Sequence, residues 1–153
     1  MSVINIVNNH PEYILLRPAI ERIAAFVIGM ELQPVRQINL VASDDNLLNT
    51  LKIKFFGTNQ LTDTISFNYN EPEESVEGEI FLSLDRIREN SIFFKTSFEK
   101  EIALVIIHSI LHLLGYNDES PNDKKQMQDL QNFYIQQVNL SRLCRLRRVS
   151  AAQ

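Results

Sequence analysis

The spacing of hydrophobic residues predicts an alternation of short strands and helices along the chain. Segments rich in β-branched and aromatic residues are typical of strands and lie at residues 3–7, 38–43, 62–69 and 78–84. Segments with apolar residues every three or four positions are typical of helices and lie near residues 18–30, 46–55, 97–114 and 121–138. This order predicts a single α+β domain with a small mixed sheet.

The third of these helices is expected to be central and buried. It is apolar on nearly every side through Ile107, which is not the pattern of a surface helix. Thr96 and Glu99 have the spacing of a capping box, which predicts a helix start near Ser97. Gly115 is suited to the helix end because glycine adopts the left-handed conformation without strain.

Two histidines interrupt this apolar helix. His108 and His112 are four residues apart and therefore lie on one helix face, from which both imidazoles can reach a common point as zinc ligands do. Gly115 permits a sharp turn that returns an acidic side chain to the same point. The acidic residues that follow this turn are Asp118, Asp123 and, as a weaker candidate, Glu119. The alternative is that the histidines are core residues bonded to backbone carbonyls.

A zinc-protease site is not indicated at this helix. Ser109 stands where a His-Glu-x-x-His motif has its general-base glutamate. The segment therefore lacks that proton acceptor, and a metal site of another class has to be considered.

Composition narrows the class of protein. The chain has 153 residues, of which 44% are hydrophobic, and this is enough for one compact domain. A net charge of -4 does not by itself indicate a nucleic-acid-binding protein. The absence of a basic leader followed by an apolar core, together with the lone Cys144, favours a cytoplasmic protein. No apolar run approaches the roughly 20 residues of a membrane span, so we expect no membrane association.

The C-terminal end of the chain is basic. We expect a folded domain over residues 1–140 and a basic tail over residues 141–153. The arginines of this tail are Arg142, Arg145, Arg147 and Arg148. They offer a sequence-independent attraction for RNA phosphates, although such a tail is more often a solvated, partly disordered chain end. His10, beside Pro11, is expected to be exposed, and Tyr116 is expected to pack at the exit of the buried helix.

The segment HSILHLLGYND, residues 108–118, resembles the signature of the YbeY-type bacterial endoribonucleases, the rRNA maturation factors. Three further blocks are similar to that family and occur in its order, namely LLNTLKIKFFG (47–57), LTDTISF (61–67) and GEIFLS (78–83). The resemblance implies one Zn²⁺ per chain in a cleft beside the central helix. It also implies cleavage of single-stranded RNA, a role in rRNA maturation and ribosome quality control, and ribosomal RNA and the small ribosomal subunit as partners.

The third metal ligand departs from the family pattern. The family has a histidine at the position of Asp118, so the resemblance implies the ligand set His108, His112 and Asp118. Aspartate is an established zinc ligand. Its charge cancels part of the charge of the cation, so a bound water is acidified less than by three imidazoles, and harder metals such as manganese are slightly favoured.

A second departure affects the expected contact with phosphate. The arginine of the family falls on Phe56, which carries no charge. Lys52 and Lys54 lie nearby, and Lys54 is the candidate for the phosphate contact, although a lysine lacks the planar fork of arginine. A solvated helix face is the simpler interpretation of both lysines.

The sequence thus predicts metal-assisted phosphodiester hydrolysis, in which a metal-activated water or the 2′-hydroxyl of the RNA attacks phosphorus. No general base can be identified from the sequence. An alternative is a ribosome-assembly factor that binds the small subunit with a structural zinc and little or no nuclease activity. A metalloprotease-like hydrolase is the third possibility considered.

Overall fold

The computed structural model describes residues 2–71 and 73–148. Within these residues the elements, in chain order, are β1 Ile4–Asn8, β2 Tyr13–Leu15, α1 Arg17–Glu31, β3 Val35–Ser43, α2 Asp45–Phe56, β4 Thr64–Asn68, β5 Val76–Ser83, α3 Leu84–Phe94, α4 Phe98–Leu113, α5 Pro121–Gln137 and β6 Cys144–Leu146. Over the same residues, no helix has the length and apolar character needed to cross a membrane.

The main sheet is mixed. Its strand order is β1-β3-β5-β4, with β1, β3 and β5 parallel and β4 antiparallel to β5 at the edge. The buried positions of β5 alternate with half-buried ones, which is the pattern of a strand whose faces have different environments. The predicted fold class, an α+β domain with a small mixed sheet, is therefore confirmed.

Helix α4 lies at the centre of the molecule, as predicted. It packs against α1, α3 and α5 and against strands β4 and β5. Gly78 on β5 allows this close packing, because a Cβ atom added there would lie 2.7 Å from the Phe67 carbonyl oxygen and 2.8 Å from Leu113 Cδ2. The C-terminal half of α4, which carries both histidines, is thereby held close to the edge of the sheet. The chain leaves the helix through Gly115, whose φ is +109°.

The start of α4 differs in detail from the capping box that the sequence suggested. The cap is Ser97, whose Oγ accepts a hydrogen bond from the Lys100 amide at 3.1 Å. The carboxylate of Glu99 instead accepts a hydrogen bond from the amide of Leu143 at 2.7 Å. The prediction of a capping box between Thr96 and Glu99 is therefore wrong, because the Glu99 carboxylate binds the backbone of a distant segment of the chain.

The C-terminal segment is packed against the domain over its described part. Leu143 is fully buried, and β6 pairs with β2 in antiparallel register. The guanidinium of Arg147 donates hydrogen bonds to the carbonyls of His10 and Asn8, at 2.7 and 3.1 Å. The expectation of a partly disordered end is therefore wrong for this strand, although Arg145 and Leu146 are exposed to solvent as expected. Residues 149–153 of the predicted tail lie outside the described residues, and the domain boundary at residue 140 stays a prediction.

His10 is buried, with 1% of its surface exposed, so the expectation that it is exposed is wrong. Its Nε2 lies 2.7 Å from Asp85 Oδ1, and its Nδ1 accepts hydrogen bonds from the amides of Glu12 and Tyr13. Asp85 belongs to the first turn of α3, and neither α3 nor β6 was predicted from the sequence. His10 is thus held by contacts with α3 and with Arg147, the residue after β6.

We expect Asp85→Asn to lower the free energy of unfolding by about 1 kcal/mol at pH 5. Burial alone raises the pKa of Asp85, but hydrogen bonds from His10 and the Asp45 amide outweigh it and lower the pKa below its ordinary value of 3.8. A lowered carboxyl pKa stabilises the fold above pH 3.8, and this contribution disappears as the pH falls through the folded-state pKa. Urea titrations of the variant and the parent protein at pH 5 and pH 3 measure this difference in the free energy of unfolding.

The matched control is Asp129→Asn, which removes an exposed carboxylate paired only with Lys125 on the surface of α5. Its effect should be close to zero at both pH values. A destabilisation by Asp85→Asn that is equally large at pH 5 and pH 3 would contradict a role of the carboxylate charge.

Candidate metal centre

Three side chains from α4 and the following turn converge on one point. His108 Nε2 and His112 Nε2 lie 3.8 and 3.7 Å from Asp118 Oδ2, and the three ligand atoms are within 4.8 Å of one another. These distances are too long for direct hydrogen bonds. Two ligands of a tetrahedral zinc ion are about 3.4 Å apart, because each bond is about 2.0 to 2.2 Å long. The spacing therefore fits a shared cation after a small closure of the turn, and the residues present fit a zinc ion.

The second ring nitrogen of each histidine is already hydrogen-bonded. His108 Nδ1 lies 2.7 Å from the side-chain oxygen of Gln131, and His112 Nδ1 lies 3.0 Å from the carbonyl oxygen of Tyr116. Both partners accept hydrogen bonds, so each Nδ1 carries the proton and each Nε2 presents its lone pair. This is the tautomer that a metal requires, held by partners outside the ligand set.

The turn that carries Asp118 is anchored to the end of α1. The hydroxyl of Tyr116 donates to Glu31 Oε1 at 2.6 Å, and the hydroxyl of Tyr134 donates to the other oxygen of the same carboxylate. The side chain of Gln33 donates to the Leu114 carbonyl at 2.9 Å. Tyr116 therefore lies at the exit of the helix, as expected, and fixes the backbone carbonyl that orients His112.

The electrostatic environment favours a neutral His112. Burial is the main cause that lowers its pKa, and the neighbouring His108 lowers it further, whereas the charge of Asp118 opposes both. The two rings are close, with centroids 4.5 Å apart. A neutral imidazole is the form that binds a metal, so His112 is suited to ligation.

The three candidate ligand residues line an open cleft of about 800 Å³. Its other walls include Phe56 and Lys52 on α2 and Asp63, the residue before β4. Burial raises the pKa of the Asp63 carboxyl group, and the charge of His108 partly opposes this rise. Asp63 belongs to the LTDTISF block and is not among the site residues predicted from the sequence. Its position at the start of an edge strand beside the buried helix was the signal that could have identified it.

The remaining predicted candidates are divided between the cleft and the surface. Lys52 lines the cleft, whereas Lys54 does not and has its ammonium 5.2 Å from the ring centroid of Phe55. Glu119 lines the cleft but is not part of the converging group. Asp123 lies in the first turn of α5, where its amide donates to the Ser120 hydroxyl, and it is not part of the group either.

Ser109, which interrupts the protease motif, joins the buried helix to the sheet. It is fully buried, its hydroxyl donates to the Val105 carbonyl at 2.8 Å, and it lies 2.8 Å from the hydroxyl of Thr64 on β4. Ser109 therefore holds α4 against the edge strand. It does not supply the general base that a protease motif has at this position.

Comparisons with known proteins agree with the geometry of the fold. The chain matches the family model described as Endoribonuclease YbeY over residues 7–139. The solution structure of a protein from Thermotoga maritima is similar with a TM-score of 0.64, at 26% identity over 87% of each chain.

Two curated relatives are each named Endoribonuclease YbeY. The protein of Amoebophilus asiaticus is 35% identical over 109 residues, which cover 71% of this chain and 74% of the relative. The protein of Chlorobaculum parvum is 35% identical over 138 residues, which cover 90% of this chain and 94% of the relative. The family model and these relatives together show that this chain belongs to the endoribonuclease YbeY family.

Proposed function

We propose that this protein is a metal-dependent endoribonuclease that cleaves single-stranded RNA in the maturation and quality control of ribosomal RNA. The observation that carries the proposal is the convergence of His108, His112 and Asp118 in an open cleft, with both Nε2 lone pairs directed to one point. Membership of an endoribonuclease family supports it. The metal is one Zn²⁺ per chain, the partners are ribosomal RNA and the small ribosomal subunit, and the compartment is the cytoplasm.

The ligand set would be His108, His112 and Asp118, with the imidazoles oriented by Gln131 and by the Tyr116 carbonyl. When bound, zinc supplies Lewis acidity that polarises a phosphoryl oxygen. Two imidazoles and one carboxylate would be three ligands, one fewer than in a closed structural zinc site, so this ligand set would allow substrate to reach the metal.

Two further residues of the cleft have roles in this proposal. Asp63 is the carboxyl group whose burial favours the protonated form, so it is suited to exchange a proton with the reacting hydroxyl or the leaving oxygen. Lys52 lines the cleft and provides the positive charge for phosphate that we expected from Lys54. The lysine contacts phosphate as a point charge, without the bidentate geometry of arginine.

The test is an RNA cleavage assay on untagged protein of known metal content. We expect unstructured RNA to be cut with zinc bound, cleavage to stop with a chelator and return with zinc, and the same RNA in a duplex to stay intact. Asp63→Asn should lower the rate at least about a hundred-fold with zinc still bound, since general acid–base catalysis contributes on this scale. Asp129→Asn is the control, because Asp129 lies on α5 and does not line the cleft.

Cleavage that persists in the chelator, or zinc-loaded protein that cuts no RNA, would contradict the proposal. The ribosome-assembly factor without nuclease activity and the metalloprotease-like hydrolase are not favoured, because the matched relatives are named endoribonucleases. The structural role of Ser109 also leaves the protease motif without its base.

A further inference from the structure

Four aromatic side chains form a surface next to the metal centre. This aromatic surface consists of Phe55 and Phe56 at the end of α2 and of Phe67 and Tyr69 in and just after the edge strand β4. The rings of Phe56 and Phe67 are stacked with centroids 6.4 Å apart, and those of Phe67 and Tyr69 are stacked 6.5 Å apart with an angle of 6°. The rings of Phe56, Phe67 and Tyr69 therefore form one row with similar orientation, and Phe55 packs edge-on against Phe67 with 5.2 Å between the ring centroids.

The outer members of the row are open to solvent. Phe55, Phe56 and Tyr69 are 55%, 52% and 60% exposed, which is unusual for large aromatic side chains. Phe67 is half-buried and packs edge-on against Phe81 of the neighbouring strand β5, at 5.9 Å. The hydroxyl of Tyr69 is held by Glu79, 2.9 Å away. Phe67 and Tyr69 are thus fixed by contacts with β5, while the outer members of the surface remain accessible.

The row continues into the cleft that carries the metal ligands. Phe56 lines this cleft together with His108 and Asp118. The ammonium groups of Lys52 and Lys54 lie 4.9 Å and 5.2 Å from the ring centroids of Phe56 and Phe55. Cations beside exposed rings match a ligand that presents flat apolar faces and regularly spaced negative charges, and a nucleic-acid strand has both.

We propose that the aromatic surface binds unpaired bases of single-stranded RNA by stacking and guides the strand into the metal cleft. Bases in a duplex are stacked on one another, so their faces are not free for protein side chains, whereas unpaired bases offer both faces. This inference rests on the proposed function and adds the means by which the protein selects single strands. Stacking on phenylalanine and tyrosine is tolerant of sequence, so the surface should accept any of the four bases.

The test measures binding and does not depend on cleavage. Zinc-loaded full-length protein is titrated with a labelled 2′-O-methyl oligonucleotide whose integrity is checked on a gel, with its duplex, and with an abasic strand of the same length and charge. Phe56→Leu and Tyr69→Leu keep an apolar side chain and remove the ring. Phe93→Leu is the matched control, because Phe93 is 79% exposed at the end of α3 and does not line the cleft.

We expect each of the two substitutions to weaken binding of the single strand about five-fold or more. Binding of the abasic strand should be the same for all variants, since that strand has no bases to stack. The Phe93→Leu variant should bind both strands like the parent protein.

A second measurement does not require a destabilising change. The chain contains no tryptophan, so Tyr69→Trp or Phe56→Trp introduces a single indole, which can be excited selectively in the presence of the tyrosines. A base that stacks on the indole should quench its fluorescence, and the abasic strand should not. Phe93→Trp serves as the control for quenching that does not depend on the position.

Three outcomes would overturn the inference. Leucine variants that bind the single strand like the parent would show that the rings do not contribute. An equal loss with the abasic strand would assign the effect to phosphate contacts. A concentration-dependent dimer of the parent protein that is lost in the variants would make the row an interface between two copies of the chain. These results differ from failure of the proposed function, which is the absence of cleavage by zinc-loaded protein.

Discussion

Replacing either His108 or His112 by alanine is expected to lower zinc affinity by more than about a thousand-fold, so that the purified protein carries no zinc. The proposed site has three protein ligands, and each histidine would supply one of them through an Nε2 atom directed at the common point. Loss of one imidazole leaves two ligands, which do not hold the ion against a chelator. Metal analysis after dialysis and a competition titration with a chelating dye measure the effect.

Asp123→Ala is the control for this prediction, because Asp123 is an acidic residue close in sequence that is not part of the converging group. This variant should bind about one zinc ion per chain. Full zinc occupancy in the double variant His108→Ala, His112→Ala would refute the assignment of the site. Far-UV circular dichroism checks that α4 remains folded in all variants.

Substitutions of Asp118 are expected to change zinc affinity in a graded order. Asp118→Ala should lower the affinity by orders of magnitude, and Asp118→Asn should retain part of it through a neutral and weaker oxygen ligand. Asp118→His should keep a complete ligand set and remove one negative charge beside the metal. The zinc in that variant is a stronger Lewis acid, so we expect faster RNA cleavage near neutral pH.

Glu119→Ala is the matched control, since Glu119 lines the same cleft without joining the ligand atoms. It should leave the zinc affinity unchanged. If Asp118→Ala binds zinc as tightly as the parent protein, the third ligand is another residue, and Glu119 is the first to be exchanged in combination with it.

The features that could be predicted from sequence are those with local causes. The four strands of the main sheet follow from short runs of β-branched and aromatic residues, and helix α4 follows from an apolar segment too long for a strand. The pair His108 and His112 follows from helical geometry alone, because residues four apart share a face. The resemblance of segment 108–118 to a family signature identified Asp118 as the expected third ligand.

The features that were missed depend on contacts between distant segments. Helix α3 buries Leu84 and Ile87 but exposes Ile92, Phe93 and Phe94, so the apolar run at its C-terminal end does not mark the face that packs against the core. Strands β2 and β6 have three residues each and exist through their pairing with each other. Gln131, the partner of His108, lies 23 residues away on α5, and no local signal links the two.

The three proposed ligands belong to parts of the molecule that should tolerate substitution differently. His108 and His112 belong to the buried helix α4 and each has a second hydrogen-bond partner, whereas the Asp118 side chain is 46% exposed on a turn. A new residue at position 118 therefore alters the charge at the metal at little cost to the fold. Codons for aspartate and histidine differ by one nucleotide. A single mutation at this surface position can therefore convert a site with two imidazoles and one carboxylate into a site with three imidazoles, or the reverse. The chemistry of the metal can thus drift over evolutionary time while the scaffold that holds it stays unchanged.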